Sequence, residues 1–195
     1  MTSPYFDTQS DYFRNYYTLG LPYDAYVASG EANQVASVRN YASLIALTSE
    51  QEARLRSYTR KMQVLVLSGL WCGDCTRQVP MLAAIERACP LIAMRYLDSR
   101  SHPELHDMLR INGARKVPVV VVLSEDFFEL ARFGDRHLSV YRRKAATECG
   151  PACDTGLIPP PEDALAAELA EWCDFFERLQ LMLRLAPMLR QRYGD

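Results

Sequence analysis

Cys72 and Cys75 stand two residues apart, directly after the apolar run Gln63-Val64-Leu65-Val66-Leu67-Ser68 and at the start of a segment with helical periodicity. A thiol at such a junction faces the unpaired N–H groups and positive dipole end of a helix. Both favour the thiolate, so Cys72 is expected to ionise below the free value of about 8.5, within a range of roughly 3.5–7.5. Cys75 lies about one turn further in, where its sulfur reaches the first. A mixed disulfide on Cys72 can then be resolved by Cys75 with release of reduced substrate. The chemistry available to this pair is dithiol exchange.

The chain holds four more cysteines. Six are too few for a disulfide scaffold in 195 residues, and in a reducing compartment they are free, catalytic or metal-bound. Cys149 and Cys153 form a second close pair in a proline-rich stretch. They are a candidate auxiliary dithiol exchanging with Cys72 and Cys75, a pair of exposed thiols, or half of a metal site that lacks two further ligands. Cys89 and Cys173 fall on apolar helical positions and read as buried, inert side chains. His102 and His106 have a metal-ligand spacing, but without a third ligand they read as structural, and no metal site is assigned. His137 is isolated. Arg142-Arg143-Lys144 is too short a basic run for nucleic acid and reads as solvated loop.

The elements around the pair follow from periodicity. Gln63–Ser68 suits a strand buried on both faces. Val79, Leu82, Ala83 and Ile85 form a helical stripe ending at Cys89-Pro90. Leu91–Leu97 reads as a second strand, and Pro103 opens a helix closed by Asn112-Gly113. Val119–Ser124 and Phe128–Phe133 form a hairpin around Glu125-Asp126. Leu165, Leu169, Trp172, Cys173, Phe176, Leu179 and Leu183 mark a long closing helix from Asp163, kinked or ended at Pro187. The first 61 residues read as helical: around Tyr12 to Tyr17, from Glu31 to Leu47, and over Ala53–Lys61 behind a capping box at Ser49-Glu50-Gln51-Glu52. The expected division is an amino-terminal helical extension over 1–61, packed on the core, and a domain over 62–195 with an inserted loop at 142–162.

With 22 Lys+Arg against 24 Asp+Glu the formal net charge is -2, which disfavours a non-specific binder of nucleic acid or anionic membranes. No apolar run approaches the roughly 18–20 residues of a bilayer span. The start lacks the basic and apolar segments of a secretory signal, so a cytoplasmic location is expected.

Trp71-Cys72-Gly73-Asp74-Cys75 resembles the Trp-Cys-Gly-Pro-Cys site of thioredoxins, and the element order from Met62 to Phe133, with the last helix, resembles their α/β fold: a central mixed sheet of about four strands flanked by helices. Lys116-Val117-Pro118-Val119-Val120 stands where thioredoxins carry a cis-proline. The helical segment before the first strand is similar to that of a bacterial thioredoxin-like subfamily. The resemblance implies that Pro118 is cis, that the Val117 backbone pairs with an extended substrate, and that Trp71 and Gly73 complete the substrate-facing surface. It also implies a thiol–disulfide oxidoreductase reducing protein or small-molecule disulfides without a cofactor, with electrons from a reductase or low-molecular-weight thiol. Two departures stand out. The buried Asp that thioredoxins place six residues before the first cysteine is Val66 here. Asp74 replaces Pro, and its carboxylate opposes the Cys72 thiolate. Asp74 is assigned a catalytic role as local proton acceptor for Cys75, beside the plainer reading of a helix cap. Two alternatives are a binding or scaffold module without significant turnover and a carrier of thiophilic metal on Cys72 and Cys75.

Overall fold

The computed structural model describes residues 5–148 and 163–194. Its centre is a four-stranded sheet in the order β2-β1-β3-β4, from β1 (Met62–Ser68), β2 (Ile92–Asp98), β3 (Val119–Leu123) and β4 (Glu129–Gly134). β1 pairs in parallel with β2, from Met62 opposite Ile92 to Ser68 opposite Asp98, and antiparallel with β3, from Gln63 opposite Leu123 to Leu67 opposite Val119. β3 and β4 are antiparallel. The sheet is therefore mixed, and its fold is the α/β arrangement expected.

Nine helices occur among the described residues: α1 (Ser10–Leu19), α2 (Tyr23–Ala28), α3 (Ala32–Leu44), α4 (Ser49–Arg56), α5 (Gly73–Ala88), α6 (Pro103–Met108), α7 (Leu138–Glu148), α8 (Ala164–Leu185) and α9 (Pro187–Tyr193). The uninterrupted apolar run of β1 is explained by cover on both faces. Val64 and Val66 point into a cluster with Val79, Leu82 and Ile85 of α5 and Trp172 and Phe176 of α8. Leu65 and Leu67 point the other way, against Phe13 of α1, Leu105 of α6 and Leu109 just after it. Alternate side chains of a strand face opposite sides, so each face needs its own apolar set.

Four local expectations are corrected. The capping box lies one residue earlier: the Thr48 hydroxyl accepts from the Gln51 N–H at 3.2 Å, and the Gln51 side chain accepts from the Thr48 N–H at 2.9 Å. The helix behind it ends at Arg56 rather than Lys61. Tyr23–Ala28 is an additional helix. Residues 142–148, expected as loop, belong to α7, whose first turn is capped from a distance. The Glu171 carboxylate of α8 accepts from the N–H groups of Leu138 and Ser139 at 2.8 and 3.0 Å. No local pattern announces a cap supplied from more than thirty residues away.

The chain before β1 is bound to the sheet. Leu21 bridges to Tyr96 of β2 through a pair of backbone hydrogen bonds of 2.9 and 2.8 Å. Gly20 permits that approach, since a Cβ there would meet the Arg95 Cβ at 2.6 Å.

Candidate active site

β1 runs out at Ser68, and the chain turns through Gly69, Leu70 and Trp71 to Cys72, which occupies the N-cap position of α5. The turn is closed by the Cys72 N–H donating to the Gly69 carbonyl at 2.9 Å, and the helix is begun by the Thr76 N–H donating to the Cys72 carbonyl at 2.9 Å. Gly69 lies beneath the Trp71 indole: a Cβ there would fall 2.5 Å from the ring. The indole itself is substantially exposed and carries the Arg100 guanidinium over its face at 4.4 Å.

Cys72 is half-buried and its sulfur lies 3.8 Å from the Val117 carbonyl oxygen. Its thiol is pulled down to about 6, first by the hydrogen bond from the Cys75 thiol and further by the backbone N–H groups of Cys75 and Asp74. Burial and the Asp74 charge oppose this. Cys75 is fully buried, which pushes its thiol well up, and the negative Cys72 sulfur beside it acts in the same sense. The pair is thus divided into an ionised outer sulfur and a protonated inner one that stabilises it.

The structure brings Val117 and Pro118 to this pair. Both are buried ahead of β3, and the peptide between them is cis. Gly73 has open space around its α-carbon, where a Cβ would meet nothing within 4 Å. Beside Cys72 runs a cleft of about 300 Å³, with Leu70, Trp71 and Thr76 on one side and Asn33, Gln34 and Ser37 of α3 on the other. The α3 wall is neutral and polar. Its residues are the solvent side of a helix in the sequence, and no signal there marks them as facing a site.

Asp74 is turned toward arginines. One oxygen accepts from Arg77 at 2.8 Å and the other from Arg136 at 2.7 Å. The groups that favour the Cys75 thiolate are instead the Ser68 hydroxyl and the Gly69 backbone N–H. Arg77 also bonds Glu168 of α8 at 3.0 Å, and Arg143 of α7 reaches the same carboxylate at 3.1 Å. Glu168 is fully buried, although the sequence places it off the apolar line of its helix. Ser68, Arg77, Arg136 and Glu168 are site residues that sequence reasoning missed, because each is placed by tertiary contacts.

The remaining candidates lie elsewhere. Cys89 and Cys173 are buried, and burial raises both thiols, Cys173 to about 11. The His106 ring meets the Lys116 carbonyl at 3.1 Å, and His102 packs edge-on against Tyr16. Cys149 and Cys153 lie outside the described residues. Among the described residues no cluster of three or more metal-ligating side chains occurs, and no helix is long and apolar enough to cross a membrane.

Comparison with known proteins places these features in a family. The family described as thioredoxin matches residues 20–143. A protein of unknown function from Pseudomonas aeruginosa is similar in structure, with a TM-score of 0.60 and 26% identity over 86% of this chain and 92% of that one. An HIV epitope-scaffold shares the fold at a TM-score of 0.58 and 23% identity, again over 86% and 92% of the two chains. No curated protein matches the sequence.

Proposed function

The chain belongs to the thioredoxin family, and from that premise we propose that it is a thiol–disulfide oxidoreductase that reduces disulfides through Cys72 and Cys75. The observation that carries this reading is the division of the pair: Cys72 is accessible with its thiol lowered to about 6, while Cys75 is buried and protonated beside it. At neutral pH the outer sulfur is a nucleophile without further activation, and the inner one is held back until a substrate is attached.

In the proposed reaction the Cys72 thiolate attacks one sulfur of a substrate disulfide. A Cys72–substrate bond forms, the substrate S–S bond breaks, and the first substrate thiolate departs. Cys75 then attacks the Cys72 sulfur, forming the Cys72–Cys75 disulfide and expelling the second substrate thiolate. Two electrons pass to the substrate, and the proton shed by Cys75 is taken up by the leaving thiolate. Regeneration requires two electrons from a reductase or a low-molecular-weight thiol, which assigns the protein to a reducing compartment such as the cytoplasm. Trp71, Gly73 and the Val117-Pro118 backbone are the proposed substrate-facing surface. The cleft bounded by α3 extends it.

The test is reduction of insulin disulfides with dithiothreitol as electron source. Wild type is expected to accelerate the reaction and Cys72→Ser to abolish the acceleration. Equal rates with and without the protein would overturn the proposal in favour of a binding module.

A further inference from the structure

Tyr26 of α2 and Ser68 at the end of β1 are 1% and 0% exposed, and neither hydroxyl has a hydrogen-bond partner of regular geometry. Buried hydroxyls without partners are uncommon, because each forfeits its hydration for nothing in return. Two such groups adjoin the buried sulfur. Tyr26 interacts with Ser68 and Cys75, and Ser68 with Cys75. The phenol is fixed by stacking on Tyr96 at a ring separation of 5.5 Å and an interplanar angle of 18°. Val66, where a buried carboxylate would otherwise stand, offers Cys75 no polar group at all.

We propose that the Tyr26 and Ser68 hydroxyls are donors held in reserve for the Cys75 thiolate: Ser68 donates to the sulfur as it loses its proton, and Tyr26 donates to Ser68, acting as a positioning residue. This rests on the dithiol reading above. In the protonated state Cys75 has little use for a donor, and the hydroxyls make no hydrogen bond of regular geometry. When Cys75 attacks the mixed disulfide, negative charge appears on a sulfur cut off from water, and a chain of two rotating hydroxyls stabilises it without introducing a buried charge. Catalytic hydrogen bonds that are long in the resting protein and shorten in the reacting state are of this kind. The titratable groups around the two hydroxyls are Cys72 beside Cys75, and Tyr96 and Asp98 of β2, which face Tyr26. The donor chain thus draws half of its length from the segment preceding the sheet.

The experiment follows one turnover with Ellman's reagent as the probe. Cys72 attacks the reagent, leaving thionitrobenzoate on Cys72 and releasing the first equivalent. Cys75 then forms the Cys72–Cys75 bond and expels the second, and its proton passes to bulk water. The rate of the second release against pH reports Cys75. Tyr26→Phe and Ser68→Ala are expected to raise the midpoint of that profile by about one unit and slow release near neutrality roughly threefold, the tenfold loss of thiolate being offset by its greater nucleophilicity. The double variant should be no slower than Ser68→Ala, because Tyr26 acts through Ser68. The first release should be unchanged. A Tyr26→Phe profile superimposable on wild type overturns the proposal. Absence of a second release from wild type is a separate result, which overturns the dithiol reading and the proposal with it.

Discussion

Asp74 and Arg136 meet at 2.7 Å, tying the first turn of α5 to the segment that follows β4. With Arg77 on the other oxygen, the carboxylate is a fixed negative charge next to Cys72, and it works against that thiolate.

Asp74→Asn is therefore expected to lower the Cys72 midpoint below about 6, by up to about one unit, in the pH dependence of iodoacetamide alkylation. A more stable thiolate favours the reduced state, so the potential against glutathione should become less reducing, by up to about 30 mV. With both oxygens on guanidinium groups, replacement of Asp74 is expected to leave release by Cys75 unchanged. A slowed release would instead establish it as the proton acceptor.

The leading cause of the low Cys72 value is the thiol donor of Cys75. Cys75→Ala removes it, and the Cys72 alkylation midpoint should rise by about one unit. An unchanged midpoint would assign the effect to the helix terminus alone.

Glu168 is a buried carboxylate serving Arg77 and Arg143. Glu168→Ala takes the buried carboxylate away from both guanidinium groups, and the expected loss is up to about 3–5 kcal/mol, read as a lower urea midpoint at unchanged slope. Arg77 also holds Asp74, so the Cys72 alkylation profile should shift together with stability.

His137 is 1% exposed, stacked on Phe133 at 4.4 Å and edge-on to Trp172 at 4.6 Å. Burial pushes its imidazole down to about 4 from 6.5, and this outweighs the Glu171 carboxylate 3.6 Å away. A histidine depressed in the folded state binds its proton more readily when unfolded. Its contribution is present above pH 6.5 and is lost as pH falls toward about 4, amounting to roughly 3 kcal/mol at most. Chemical denaturation at several pH values should show this slope, and His137→Phe should flatten it.

The reactive pair and the sheet were legible because both are local in sequence. A run such as Gln63–Ser68 has a single reading once both faces need cover, and a thiol at a strand-to-helix junction takes its character from the helix it begins. What stayed hidden depends on residues far apart. α7 is capped by Glu171 of another helix, Glu168 looks solvated until Arg77 and Arg143 close on it, and Asp74 takes one of its two arginines from beyond β4. α2 is only six residues long and carries no side-chain cap, so nothing in its sequence marks it as a separate helix.

β2 lies at one border of the sheet, and the Leu21 bridge occupies its outer hydrogen-bonding groups at Tyr96, while the Tyr17 hydroxyl donates to the Ala93 carbonyl at 3.2 Å. A border strand left bare is a template for the border of another copy. The residues ahead of the sheet thus cover this border, and a fragment trimmed to the four strands and their flanking helices is expected to self-associate along the side that Leu21 now seals, seen as a larger species in light scattering.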